Sequence, residues 1–288
     1  VIDTVRTLQP GDEAFPEALA RIPRPPGSLR LRGSLGAPRA RVAIVGARDA
    51  DEYGRDLARR MARGLARAGL SIVSGGARGI DAEAHEGALE AGGHTVAVLA
   101  SGVDLPTPRG NRILFERILE AGGGLLSEYQ DGTDARDFQF VERNRLVSGL
   151  SDAVVVVRAG RDSGALITAR LALLQRRPLL AVPGEVDHPL SEGPLRLLRE
   201  GARLATGPAD VLECLGLAPA QQVELPLAGL APPARDLLDA LTLAPRHLTE
   251  LARAARLGAG EALAGLLLLE LDGLCEQRPG QRFVKRCA

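Results

Sequence analysis

Residues 74–81 read "SGGARGID", between the apolar run "LSIV" and the helix-like "AEAHEGALEA". Glycine admits positive φ and lets a ligand approach the main chain. A helix start offers unpaired N–H groups and the positive end of a dipole, which suit phosphate. The stretch therefore predicts an anion cradle from Ser74, Gly75, Gly76, Ala77, Arg78 and Gly79, with Arg78 adding a full charge. Asp81, in the first turn of the helix, competes for the same N–H groups, and its expected role is to order the turn by bonding Arg78 or nearby backbone. His85 lies four residues on, on the same helix face. The two are either a base and its orienter, or a helix-terminal carboxylate with a local partner.

A second informative segment is "FQFVERNR" at 138–145. The chain has five Phe, two Tyr and no Trp, and two of these aromatics stand beside Arg143, Asn144 and Arg145. Rings next to guanidinium groups suit bases stacked along a tracked backbone. In the competing arrangement one Phe anchors the loop in the core while the arginines pair with carboxylates. Phe140 is taken as the stacking ring, with at least one of the two Phe expected in the core.

These residues need a scaffold. Apolar, β-branched runs recur as "RVAIVG", "LSIVSGG", "HTVAVLA", "GLLSE", "DAVVVV" and "PLLAVPG", separated by helical spacings such as "GRDLARRMARGLARAG" and "GALITARLALLQR". Strands joined through one helix run parallel, and continuous apolar strands fit a sheet covered on both faces. The fold class is α/β: a doubly wound, mostly parallel Rossmann-like sheet over residues 1–216, with an extended lead-in at 1–40. A proline-rich linker is expected at 217–230. Residues 231–288 then follow as three short helices and two strands around "RPGQ", the pattern of a small winged-helix domain. Its third helix, "GAGEALAGLLLLELDG", carries two Glu, one Asp and no Arg.

In open parallel sheets ligands sit beyond the carboxyl ends of the strands. The segments there contribute Gly46 and Arg48, the 74–79 turn, Asn111, the 138–145 segment, and Ser163 with Gly164 opening a helix that contains Thr168. No GxGxxG follows the first strand, and neither GxxxxGK[ST] nor GxSxG occurs, which argues against a dinucleotide cofactor, a P-loop nucleotide and a serine-elbow hydrolase. Cys214, Cys275 and Cys287 show no metal spacing. No cofactor or metal is expected.

Bulk numbers narrow the classes further. Basic and acidic residues balance at 36 each, so any nucleic-acid site must be a local patch. All but one of the basic residues are arginine, as a GC-rich genome would also produce, so their abundance is not itself informative. No apolar run is long enough to span a bilayer. The start shows no signal-peptide pattern, and the opening Val1 leaves room for residues upstream. A cytoplasmic protein is expected.

Five ordered motifs, "VAIVGAR", "SGGARGIDAEAH", "FVERNRLVSGLSDAVVVV", "SGALITA" and "AVPG", resemble the bacterial DNA-processing protein A family (DprA or Smf) over roughly residues 10–215. The lead-in "FPEALARIPRPPGSLRLRG" is similar to that family's approach to the first strand, and the tail looks like its winged helix. The resemblance implies a non-catalytic single-stranded DNA-binding protein of natural transformation that protects incoming strands and loads the recombinase RecA, often as a homodimer. It places DNA contacts on Arg48, on the turn from Ser74 to Gly79, and on Phe140 to Arg145. Departures from the family pattern are Val141 for proline, Asp137 where some members have lysine, "TP" for "YP" in the 105–111 loop, and Pro194 in "SEGP". The enzymatic alternative is a nucleotide phosphoribohydrolase of the lysine-decarboxylase-like family, but "PGEVDH" and "SGGARGIDAE" only partly echo its PGGxGTxxE motif.

Overall fold

Along "RVAIV", successive side chains enter opposite faces of the sheet. Val42 and Ile44 join one buried cluster, while Ala43 and Val45 join another. The same split divides Ala153 and Val155 from Val154 and Val156. Each face needs its own helical cover, which accounts for strands that are apolar without alternation.

The structure, a computed structural model, describes residues 5–217, 232–271 and 273–286. The chain divides into two units, Val1–Gln221 and Gln222–Ala288. Apart from Leu217, the linker expected at 217–230 lies outside the described residues, as does Cys287.

The first unit contains β1 (Val5–Leu8), α1 (Glu17–Ala20), β2 (Leu29–Gly33), β3 (Arg41–Val45), α2 (Glu52–Arg67), β4 (Ser71–Ser74), α3 (Ile80–Glu90), β5 (Thr95–Val98), α4 (Arg112–Glu120), β6 (Gly124–Ser127), α5 (Asp137–Gly149), β7 (Ala153–Val156), α6 (Gly164–Leu174), β8 (Leu179–Ala181), α7 (Glu192–Arg199), β9 (Arg203–Leu204) and α8 (Pro208–Cys214). Its nine strands run in the order β1-β2-β6-β5-β4-β3-β7-β8-β9. From β6 through β9 every pair is parallel. Residues of α2, α3 and α8 cover one face, and residues of α5, α6 and α7 the other. The chain leaves β3 toward β4 and later returns to place β7 on its other side. The strand order therefore reverses at β3, and a crevice opens beyond the ends of β3 and β7.

The lead-in is more regular than an extended segment. β1 and β2 pair antiparallel, and β2 pairs antiparallel with β6, so residues 5–33 extend the sheet. In "LRLRG", Leu29 and Leu31 are buried while Arg30 and Arg32 are partly exposed, the period-two pattern of a strand. The prolines at 23, 25 and 26 confine their disruption to the connection before it.

The second unit holds α9 (Pro232–Ala240), β10 (Arg246–His247), α10 (Leu248–Ala254), α11 (Ala259–Leu271), β11 (Cys275–Arg278) and β12 (Arg282–Lys285). Its three strands pair antiparallel in the order β10-β12-β11. Leu237, Leu251, Leu266, Leu269 and Phe283 form a separate core, each such side chain contributing about 1.5–3 kcal/mol of burial. This is the winged-helix arrangement, with the two-residue β10 added to the expected elements.

Candidate functional site

The turn after β4 is held from both sides. The Asp81 carboxylate accepts the N–H groups of Gly75 (3.1 Å) and Ala77 (3.4 Å). The Arg143 guanidinium donates to the carbonyl of Gly75 at 2.5 Å and to that of Val98. A Cβ on Gly75 would lie 2.5 Å from that guanidinium and 2.6 Å from the Asp81 carboxylate. Gly76 (φ 68°) and Gly79 (φ 75°) take left-handed conformations that side chains disfavour. Asn111 braces the same turn, donating to the carbonyl of Gly76 at 2.9 Å. Ser74 is buried and donates to the carbonyl of Ile44 at 2.6 Å, tying β4 to β3. Glycine at 46 allows close approach of α3, since a Cβ there would stand 2.6 Å from Ile80.

Burial sets the electrostatics of this support. It pushes the Asp81 carboxyl above its ordinary pKa, against the pull of Arg143 and the turn amides. It pushes Arg143 down to about 10, opposed by Asp81. Arg143 borders the cleft, but its guanidinium faces protein carbonyls. Asp81 satisfies two of the amides that could have served a phosphate, and it does so without Arg78. Arg78 is exposed and stands 3.6 Å from Asp49. His85 is not Asp81's partner either. Its Nδ1 lies 2.7 Å from the Thr95 hydroxyl, and burial holds its pKa down to about 3.

The "FQFVERNR" segment is the start of α5, not a turn. On a helix only residues three or four apart share a face, and Asp137, Phe140, Val141, Asn144 and Val147 line the cleft. Phe138 is 56% exposed and Phe140 partly exposed, so neither ring is core; Gln139 is buried between them. The Arg48 guanidinium lies over the Phe140 ring, 5.0 Å from its centroid. Arg145 is buried and paired with Glu128 at 2.6 Å, turned away from the cleft.

The far wall is the start of α6. Ser163 caps the helix, its hydroxyl accepting the N–H of Ala165 at 3.3 Å. A Cβ on Gly164 would meet nothing within 4 Å, so the backbone there is open to a ligand. Thr168, one turn on, is buried but reaches the cleft lining, and Asn144 donates to the Gly164 carbonyl at 3.4 Å. The cleft encloses about 490 Å³. It brings together Gly46, Arg48, Gly75, Ala77, Asp81, Phe140, Arg143, Asn144, Ser163, Gly164 and Thr168. Ser74, Gly76, Arg78, Gly79, Asn111 and Arg145 stand outside its lining.

The sequence reading missed a second bracket. Arg158, buried just beyond β7, bonds Asp51 at 2.9 and 3.1 Å and the Ser191 hydroxyl at 2.6 Å. Asp51 caps α2 through the N–H of Gly54 at 3.1 Å, so one arginine fixes α2 against the segment before α7. The available signal was a cation closing the apolar "AVVVV". Among the described residues, no group of three or more His, Cys, Asp or Glu could hold a metal ion, and no helix is long and apolar enough to cross a membrane.

Two family models match the chain. "DNA recombination-mediator protein A" covers residues 6–216 and "DprA winged helix domain" residues 218–281. The chain is 34% identical to protein Smf of Synechocystis sp., over 97% of this chain and 80% of that protein. It spans 56% of the Escherichia coli protein Smf and 65% of a putative DNA processing protein DprA from Mycobacterium tuberculosis. DNA processing protein A from Streptococcus pneumoniae superposes with a TM-score of 0.68 at 35% identity, covering 74% of this chain and 75% of that one. A structure addressing the single-stranded DNA binding mode of DNA processing protein A from Helicobacter pylori gives 0.65 at 32%, covering 74% and 96%.

Proposed function

The chain belongs to the DNA recombination-mediator protein A family, and from that premise and the geometry of the cleft we propose that it binds single-stranded DNA without catalysing a reaction on it. The observation that carries this is the Arg48–Phe140 pair at the cleft's edge. An aromatic face backed by a guanidinium stacks a base of any identity, and the cation lies beside the phosphates. Between the turn and the start of α6, the cleft presents Gly164, where backbone can approach closely. Duplex DNA keeps its bases paired and cannot offer one to the ring.

Phosphate contacts are assigned to Arg48, Arg78 and the open start of α6. Base contacts fall to Phe140 and Asn144. Gly46, Ser74 to Ala77, Gly79, Asn111, Thr168, Asp81, Arg143 and Arg145 shape the site from behind. Family membership supports the wider role: protecting incoming strands and loading RecA during natural transformation, as a cytoplasmic homodimer. The domain limits proposed for this role are 1–216, 217–230 and 231–288.

Titration with oligo-dT and with a matched duplex tests the central claim, and tighter binding of the single strand is expected in moderate salt. Equal or tighter duplex affinity would sink it. Release of free base from nucleoside monophosphates would instead favour the phosphoribohydrolase alternative.

A further inference from the structure

In the winged-helix unit one register row across the sheet consists of His247 on β10, Arg282 on β12 and Arg278 on β11, each directly opposite the next. Two strand spacings separate the ends of the row, roughly 10 Å. Like charges directly opposite on a sheet are destabilising. Among the described residues, one carboxylate is ion-paired with the arginines of this face. Glu276 pairs with Arg278 at 3.3 Å and with Arg286 at 3.5 Å. Arg278 and Arg282 are exposed, and Arg282 has no hydrogen bond or ion pair among the described residues. His247 accepts the N–H of Thr249 at its Nδ1 (3.2 Å), which leaves Nε2–H as the outward donor.

We propose that this wing is a second nucleic-acid site, which holds the phosphate backbone of duplex DNA. On a chain of zero net charge, three arginines and an imidazole N–H within one small face call for a partner of high anionic density. A duplex carries one charge per about 1.7 Å of axis, twice the density of one of its strands. The face also lacks what a single strand needs. Phe283, the one Phe, Tyr or Trp among the described residues of this unit, is buried on the opposite face, so the face lacks the broad stacking platform that single-strand sites use. Nor does α11 serve as the reader. Its charged residues are Glu261 and Glu270, and its exposed side includes Leu267 and Leu268.

The test uses the full chain, a short labelled duplex, oligo-dT and several salt concentrations. Arg278→Gln with Arg282→Gln should weaken duplex binding and flatten its log–log salt slope by about 1.8, at roughly 0.9 per phosphate contact. Arg282→Gln alone should remove about half of that. A control of equal charge change, Arg253→Gln with Arg256→Gln, should leave the slope unchanged, and all variants should bind oligo-dT like the native chain. Absence of duplex binding by the native chain, an unchanged slope in the wing variant, or an equal loss in the control would each overturn the proposal. A parallel loss of oligo-dT affinity would show that the wing follows a single strand, which also overturns it. Phe140→Ala separates this site from the cleft, since it should weaken oligo-dT and spare the duplex.

Discussion

The guanidinium of Arg48 lies over the ring of Phe140, 5.0 Å from its centroid, and joins the segment after β3 to the first turn of α5. Both residues line the cleft, so the contact fixes the segment after β3 against α5. Removing either member has a different signature. Phe140→Ala should weaken oligo-dT binding by roughly 1–3 kcal/mol with little change in salt dependence, because stacking releases few counterions. Arg48→Ala should lower affinity and flatten the slope by about 0.7, the value for one phosphate contact on a single strand. Identical slopes for the two variants would refute this division of labour.

Arg78 gives a sharper case. Its neighbour is the exposed Asp49 at 3.6 Å, not Asp81. An exposed pair of this kind contributes little to stability. Arg78→Ala should therefore leave the melting temperature unchanged while flattening the salt slope by about 0.7 if a phosphate rests there. Asp81→Ala should lower the melting temperature and thus not mimic it. An unchanged slope in Arg78→Ala would remove this residue from the interface.

Much of this was legible from residue order. The unbroken apolar runs revealed a sheet covered twice, and the glycines at 76 and 79 revealed a turn with positive φ. The direction of the long side chains was not legible. Arg143, Arg145 and Arg48 look alike in a sequence, yet one supports a turn, one pairs with Glu128 and one faces the cleft. What separates Arg143 from Arg145 is the 3.6-residue period of α5, and "FQFVERNR" gives no amphipathic signal because its buried positions include Gln139, Arg143 and Arg145. The second bracket, Arg158 with Asp51, joins residues 107 positions apart, and no local pattern announces such a pair.

The buried Arg143 beneath the turn should dominate local stability. Arg143→Met frees the buried carbonyls of Gly75 and Val98, and each buried acceptor left unsatisfied costs about 1–3 kcal/mol. Gly75→Ala should destabilise by a different route, by pressing a methyl group against the guanidinium and the carboxylate. Urea unfolding of both variants checks this. A loss below about 1 kcal/mol in Arg143→Met, the least that one unsatisfied buried acceptor costs, would mean the guanidinium is solvated and the support loose.

His85 makes acid stability a test of the core. In the folded chain its imidazole stays neutral down to about pH 3, because burial opposes the charge and Arg143 adds to the opposition; its ordinary pKa is 6.5. Below pH 6.5 the unfolded chain binds a proton that the folded chain does not. Unfolding is then favoured by falling pH, at up to about 1.4 kcal/mol per unit from this group. Its contribution is complete above about pH 6.5 and is lost progressively toward pH 3. Asp81 works the other way. Its folded pKa is raised, so its contribution is present below the ordinary carboxyl range and is lost as pH rises through the raised value. The two partly cancel in mildly acidic solution, and wild-type data alone cannot separate them. His85→Gln keeps a polar partner for Thr95 and removes the titration. Unfolding free energies of the two proteins should run parallel above pH 6.5 and converge as pH falls, the wild type losing its advantage. Curves that stay parallel from pH 7 to pH 4 would show that the imidazole is solvated in the folded state.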